Sequence, residues 1–143
     1  MRLLTCAVAC LLGLSALAQA DEPADIFIVT TTAKKPAAVV EAVKTYADDM
    51  QWRYIGDSKV KQGEVTLVKI CIPEVGRAVW PAGLQLSALL PCGNLGIYET
   101  ESATEISLLH PRYMHILYPD PATEQASEIA FPLLSEMLDA VAD

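Results

Sequence analysis

The sequence predicts a small α/β domain of the α+β type, with helices packed mainly on one face of a mixed or antiparallel sheet. Two observations predict this class. Strand and helix patterns follow one another in the order βαββαββα, with no low-complexity linker and no repeat. Two pairs of strands are joined by connections too short for a parallel crossover, which excludes an all-parallel sheet.

The first half of the chain predicts one strand, one helix and one hairpin. Residues 25–32 are rich in β-branched side chains, which is typical of a strand. Pro36 begins a helix whose apolar residues recur at helical spacing. Residues 52–59 and 64–72 predict two strands around the polar tip Lys61-Gln62-Gly63, so these strands form an antiparallel hairpin.

The segment after this hairpin predicts two short helices separated by a break. Residues 74–80 have a helical pattern, but Pro81 removes a backbone donor and Gly83 raises the cost of continuing a helix. We therefore expect a second short helix over residues 84–90.

The last third predicts a second hairpin and a long final helix. Residues 95–100 and 104–109 read as its two strands, and the helix begins near Pro121. Pro132 lies inside this helix and predicts a bend. One apolar stripe along the helix predicts flat packing. The stripe consists of Ala126, Ile129, Ala130, Leu133, Leu134, Met137, Leu138 and Val141.

Residues 1–20 have the pattern of a cleavable secretory signal peptide. Arg2 precedes the apolar run 3–17, and Ala18-Gln19-Ala20 is a small-x-small cleavage site. The apolar run is shorter than the roughly 20 residues that span a bilayer, which argues against a membrane span. We therefore expect a periplasmic or secreted protein whose mature chain is a single domain at residues 21–143.

The charge balance is acidic. The formal net charge is −8 at pH 7, and it becomes −9 when Arg2 is removed with the signal. No basic stripe is present, so the sequence excludes nucleic acid as a partner. An acidic surface is typical of a protein that stays in solution.

The mature chain has two cysteines, Cys71 and Cys92. An even pair in an oxidising compartment favours a disulfide, which would stabilise the domain by roughly 3 kcal/mol. Two alternatives remain open at this point: a pair of buried thiols, or two ligands of a soft metal such as copper.

Three motifs of the second half resemble the family called domain of unknown function 302. They are Leu90-Pro91-Cys92, the strand Ile97-Tyr98-Glu99 and the step from His110 to Met114 through Pro111, and the resemblance covers about residues 25–140. It implies a small α/β domain that forms homodimers, and it leaves the biochemical role unassigned. The chain departs from the family at His110, where Asn is more usual.

The sequence predicts no catalytic residue. Cys92 near His110 could be a nucleophile with its base, but a structural or disulfide cysteine accounts better for an exported protein. Cys71, Cys92, His110 and Met114 could meet at one end of the sheet, where their soft donors suit Cu(I). A copper or thiol-redox protein is therefore the alternative to a protein that acts by binding, and otherwise no cofactor is expected.

The apolar segment around Trp80 and Leu84 is too irregular for one helix and too hydrophobic for an ordinary exposed loop. The core of the domain, a symmetry-related second copy of the chain or a hydrophobic ligand could cover this segment. Together with His110 and Tyr113, these residues are the candidates for a ligand site or an interface. The function expected from the sequence is that of an exported, homodimeric binding domain, with a small molecule or another protein as its partner.

Overall fold

In a computed structural model, which describes residues 26–89 and 95–143, the strands form one antiparallel sheet. The strands are β1 (Phe27–Thr32), β2 (Arg53–Val60), β3 (Val65–Cys71), β4 (Leu95–Glu99) and β5 (Thr104–Leu109). Their order across the sheet is β1-β5-β4-β3-β2, so β1 and β2 are the edge strands. The predicted class, a single α/β domain, is confirmed.

Four α-helices are present in the described part of the chain. They are α1 (Pro36–Asp49), α2 (Pro73–Val79), α3 (Tyr113–Leu117) and α4 (Pro121–Ala142). Pro occupies the first turn of α1, α2 and α4, where its missing N–H costs no intrahelical bond. The side chain of Asp120 caps α4 by accepting a hydrogen bond from the Ala122 N–H at 2.8 Å.

The hairpin of β2 and β3 has a tight tip at residues 61–63, as predicted. Lys61 and Gln62 have φ angles of 50° and 57°, and Gly63 follows at 97°, so three residues in a row adopt the left-handed region. A bulge shifts the register of β2 between Tyr54 and Gly56, and Gly56 takes a φ of 150° there.

One face of the sheet and the apolar sides of the helices form the core. Alternate residues of β3, β4 and β5 are buried under α1 and α4. The fully buried side chains from these elements include Val39, Val43, Val68, Ile70, Leu95, Ile97, Ile106, Leu134, Met137 and Leu138. The helical stripe predicted for α4 faces this core.

The structure departs from the sequence expectations in two details. Residues 84–88 form a 3₁₀ turn, preceded by another at Trp80–Ala82, because Gly83 takes a φ of 131° that no α-helix allows. α3 was not predicted, since five residues are too few to show helical periodicity. As predicted, α4 begins at Pro121 and contains Pro132. Among the described helices, none has the length and hydropathy needed to cross a bilayer.

Candidate functional site

The sheet face turned away from the helices carries exposed apolar side chains. On β1, exposed Phe27 and Val29 alternate with residues that face the core. Leu109 pairs with Phe27, and Leu67 belongs to the same face of β3. We call this surface the open face. Its residues are Phe27, Val29, Thr31, Arg53, Gly56, Ser58, Val60, Val65, Leu67, Lys69, Cys71, Gly96, Tyr98, Glu105, Ser107 and Leu109.

The smallest side chains of the open face lie at its centre. The strand register places one row of residues across all five strands, in the order Val29, Ser107, Gly96, Leu67 and Ser58. A Cβ added at Gly96 would lie 3.0 Å from the Ser107 Oγ, a tight contact that the Ser107 side chain would have to relieve, so the smallest residues occupy the middle of the row. Another surface could therefore approach the backbone closely here.

Charged residues lie at opposite ends of the open face. Arg53 pairs with Cys71, and Lys69 lies one pleat away on β3, so both cations are near the end of the sheet where β3 ends. Glu105 lies toward the other end, where β5 begins, and pairs with Tyr98. Hydrogen bonding to Glu105, followed by burial, raises the pKa of the Tyr98 hydroxyl.

A cleft of about 540 Å³ opens on the other side of the sheet, between α1 and the hairpin of β2 and β3. Its lining residues are Pro36, Ala37, Val40, Glu41, Lys44, Asp57, Lys59, Gly63, Glu64, Thr66 and Glu99. Helix-side residues of the strands form part of the lining, so the cleft and the open face point in opposite directions.

The four carboxylates of the cleft already have partners. Three form ion pairs at 2.7–2.8 Å, namely Glu41 with Lys44, Glu64 with Lys61 and Glu99 with Lys35. Asp57 accepts a hydrogen bond from the Tyr54 hydroxyl, and the Lys44 ammonium lies 5.3 Å from the centre of the Tyr54 ring. Burial and the bond to Asp57 raise the pKa of Tyr54.

Only some of the residues predicted to form a disulfide or a metal site lie together at one end of the sheet. Cys71 is half-buried at the end of β3 and forms no disulfide with a described residue; Cys92 lies outside the described residues, so the disulfide stays a prediction. Met114 is buried in the core among apolar side chains. Within residues 26–89 and 95–143, no three His, Cys, Asp or Glu side chains are grouped to hold a metal.

His110 lies one residue beyond β5 and stacks on Phe131 of α4, with ring centroids 4.9 Å apart. Its Nδ1 accepts a hydrogen bond from the Arg112 N–H at 3.1 Å. The Arg112 guanidinium in turn lies 5.6 Å from the centre of the Tyr113 ring. His110 therefore connects the end of the sheet to α4 and orders the turn before α3.

The segment around Trp80 is divided between core and solvent. Leu86 is buried, whereas Trp80 is partly exposed and Leu84 is 78% exposed. The expectation that this segment must be covered therefore holds for Leu86 and leaves Leu84 as a single exposed side chain. The open face was not predicted, although Phe27-Ile28-Val29 is apolar on both faces of β1, a pattern typical of strands covered on both sides.

No family model matches the sequence, and no curated protein matches it. A solved structure does: the crystal structure of the uncharacterized conserved protein DUF302 from Bacillus stearothermophilus. Its TM-score is 0.71 at 16% identity, and the match covers 81% of this chain and 98% of that chain. The chain has the DUF302 fold. The resemblance predicted from the sequence is thus confirmed for the fold, while Leu90-Pro91-Cys92 lies outside the described residues.

Proposed function

We propose that the chain is an exported binding domain that works as a homodimer, with the open face as its interface. The observation that carries this proposal is the sheet itself, which has helices on one side and exposed Phe27, Val29 and Leu67 on the other. Exposed large apolar side chains on one face of a sheet support a protein interface there. The signal pattern of residues 1–20 supports the export.

The size of the open face suits a dimer. With strands about 4.8 Å apart and about 3.3 Å per residue, five strands of about six residues present roughly 24 by 20 Å. Two such faces in contact cover roughly 960 Å² in projection, close to the roughly 1,000 Å² of total buried surface that is the lower bound for a specific interface. The small residues Gly96 and Ser107 let the two sheets approach.

The charges favour a second copy over an unrelated partner. Arg53 and Lys69 lie near one corner of the open face, and Glu105 lies toward the diagonally opposite corner. A two-fold axis along the other diagonal brings the basic corner of each copy against the acidic corner of the other. The strands of the two sheets then cross at about 90°, which is one of the two usual packings of sheet on sheet.

Dimerisation through the open face leaves the cleft accessible. Thr66 and Asp57 line the cleft from the helix side of β3 and β2, and Leu67 and Ser58, one residue further along each strand, lie on the open face. The dimer would therefore present two identical clefts to the solvent, on opposite outer surfaces.

Sedimentation velocity of the purified exported protein tests this proposal. The wild type should sediment as a dimer at micromolar concentration, and Leu67→Glu should sediment as a monomer, because it places a charge inside the interface. Leu84→Glu is the matched control, since Leu84 is exposed in the segment around Trp80. A monomeric wild type, or dissociation by Leu84→Glu alone, contradicts the proposed interface. Intact mass should begin at Asp21, and a retained Met1 contradicts the export.

A soft-metal or thiol-redox function at Cys71 and Cys92 is the second candidate. β4 lies between β3 and β5, so the end of β3, the start of β4 and the end of β5 meet at one end of the sheet. This order supports one common end of the sheet for Cys71, His110 and Leu95, the first residue of β4. Binding of Cu(I) by the reduced protein, lost in a double Cys→Ser variant, supports this function, and equal binding by both proteins refutes it.

A further inference from the structure

The groups of the cleft that have no partner are hydrogen-bond donors. Lys59 forms no ion pair with any described residue, although the other lysine of the lining, Lys44, is paired with Glu41. Thr66 is 7% exposed, and its hydroxyl has no hydrogen bond within the described residues. The Thr66 side chain is thus more than nine-tenths buried and lines the cleft, where its hydroxyl is available to a ligand.

The first turn of α1 adds a third donor. Pro36 has no N–H, and the N–H groups of Ala38 and Val39 both donate to the Lys35 carbonyl, at 2.9 and 3.1 Å. The Ala37 N–H is left without a backbone acceptor, and no side chain caps this helix end. The first turn also has no acidic residue, so the positive end of the α1 dipole is not compensated there.

These donors fit one carboxylate rather than a phosphate. Lys59, Thr66 and the Ala37 N–H can stabilise a single negative charge, as charged and uncapped donors do elsewhere. Three of the four carboxylates of the cleft are paired with lysines, and Lys59 offsets the charge of Asp57, so the cleft has no excess positive charge for a ligand with two or more negative charges.

The carboxylates of the cleft also fit a positive charge on the ligand. The lysine partners of Glu99 and Glu64 have side chains that are mostly exposed, and exposed pairs contribute little stability. A ligand ammonium could therefore replace Lys35 or Lys61 at small cost. Pro36, Ala37 and Val40 supply apolar surface between the charged groups.

We propose that this cleft binds a small zwitterion of the α-amino-acid type. The ligand carboxylate lies at Lys59, Thr66 and the first turn of α1, and its ammonium group faces the carboxylates of the cleft. A volume of about 540 Å³ is ample for an amino acid. The site belongs to one protomer, so it does not depend on the proposed dimer.

Nuclear magnetic resonance of the ¹⁵N-labelled exported protein tests the proposal with a panel of single L-amino acids at millimolar concentration. At least one member should shift the amide signals of Ala37 and Thr66 in a saturable manner. Its deaminated carboxylate and its decarboxylated amine should each bind at least tenfold more weakly, and inorganic phosphate should produce no saturable shift at these amides.

Variants identify the site. Lys59→Gln should weaken binding of the amino acid about tenfold, which is the usual effect of losing a charge-assisted hydrogen bond. Thr66→Val should weaken it severalfold while keeping the side-chain volume. Arg77→Gln, which removes a positive charge from α2, should leave binding unchanged. The proposal is wrong if no amino acid shifts Ala37, if phosphate or the amine binds as tightly, or if Lys59→Gln and Arg77→Gln behave alike.

Discussion

The alanine variants of Ile97 and Leu67 compare how much each face of the sheet contributes to stability. Ile97 lies on β4 toward the core and is 0% exposed, whereas Leu67 lies on the open face and is 42% exposed. Ile97→Ala removes three carbons, or about 2.4 kcal/mol of transfer free energy, and the remaining cavity raises the loss to about 3–4 kcal/mol. Little more than half of the Leu67 surface is buried within one protomer. Leu67→Ala should therefore lower the free energy of unfolding by only about 1–2 kcal/mol.

Urea unfolding at a protein concentration below the dissociation constant of the dimer measures both losses without the interface. Thermal unfolding should show the same order, with midpoints lower by about 12–16 °C for Ile97→Ala and about 4–8 °C for Leu67→Ala, at about 4 °C per kcal/mol. Equal losses, or a larger loss for Leu67→Ala, would refute the assignment of the two faces, because a register slip by one residue exchanges them.

Three further predictions concern single groups. The pKa of Tyr54 is raised, so the folded protein should lose stability as the pH rises above about 10, where tyrosines of the unfolded chain ionise first. Urea unfolding at pH 9 and at pH 10.5 measures this loss of stability, and Tyr54→Phe should make it smaller. An equal loss in the variant and the wild type would show that Tyr54 does not cause it. Asp120→Ala should cost about 1 kcal/mol through the loss of the α4 cap, and no change in the unfolding midpoint would contradict the cap. If the predicted disulfide forms, Cys71→Ser should cost about 2–5 kcal/mol under oxidising conditions and nothing after reduction, whereas two titratable thiols in the non-reduced wild type would exclude the bridge.

Local patterns predicted most of the fold. β-branched residues marked β1, and Pro36 and Pro121 marked the starts of α1 and α4, because each of these signals depends on neighbouring residues alone. α3 was missed because its five residues follow a turn that His110 and Arg112 order through contacts with α4 and with their own backbone.

The candidate sites were harder to predict, because they depend on contacts between distant segments. The open face needs the pairing of Phe27 with Leu109, which are far apart in the chain. The cleft needs Ala37 of α1 beside Thr66 of β3. Sequence periodicity also could not separate buried Leu86 from exposed Leu84, because a 3₁₀ turn follows neither helical nor strand spacing.

An isotope-filtered nuclear Overhauser experiment on a mixture of labelled and unlabelled protein tests the dimer interface most directly. It records contacts between protomers at individual methyl groups. We expect intermolecular signals from the methyl groups of Val29, Leu67 and Leu109 on the open face. Intermolecular signals from Leu84, with none from the open face, would contradict the proposed interface.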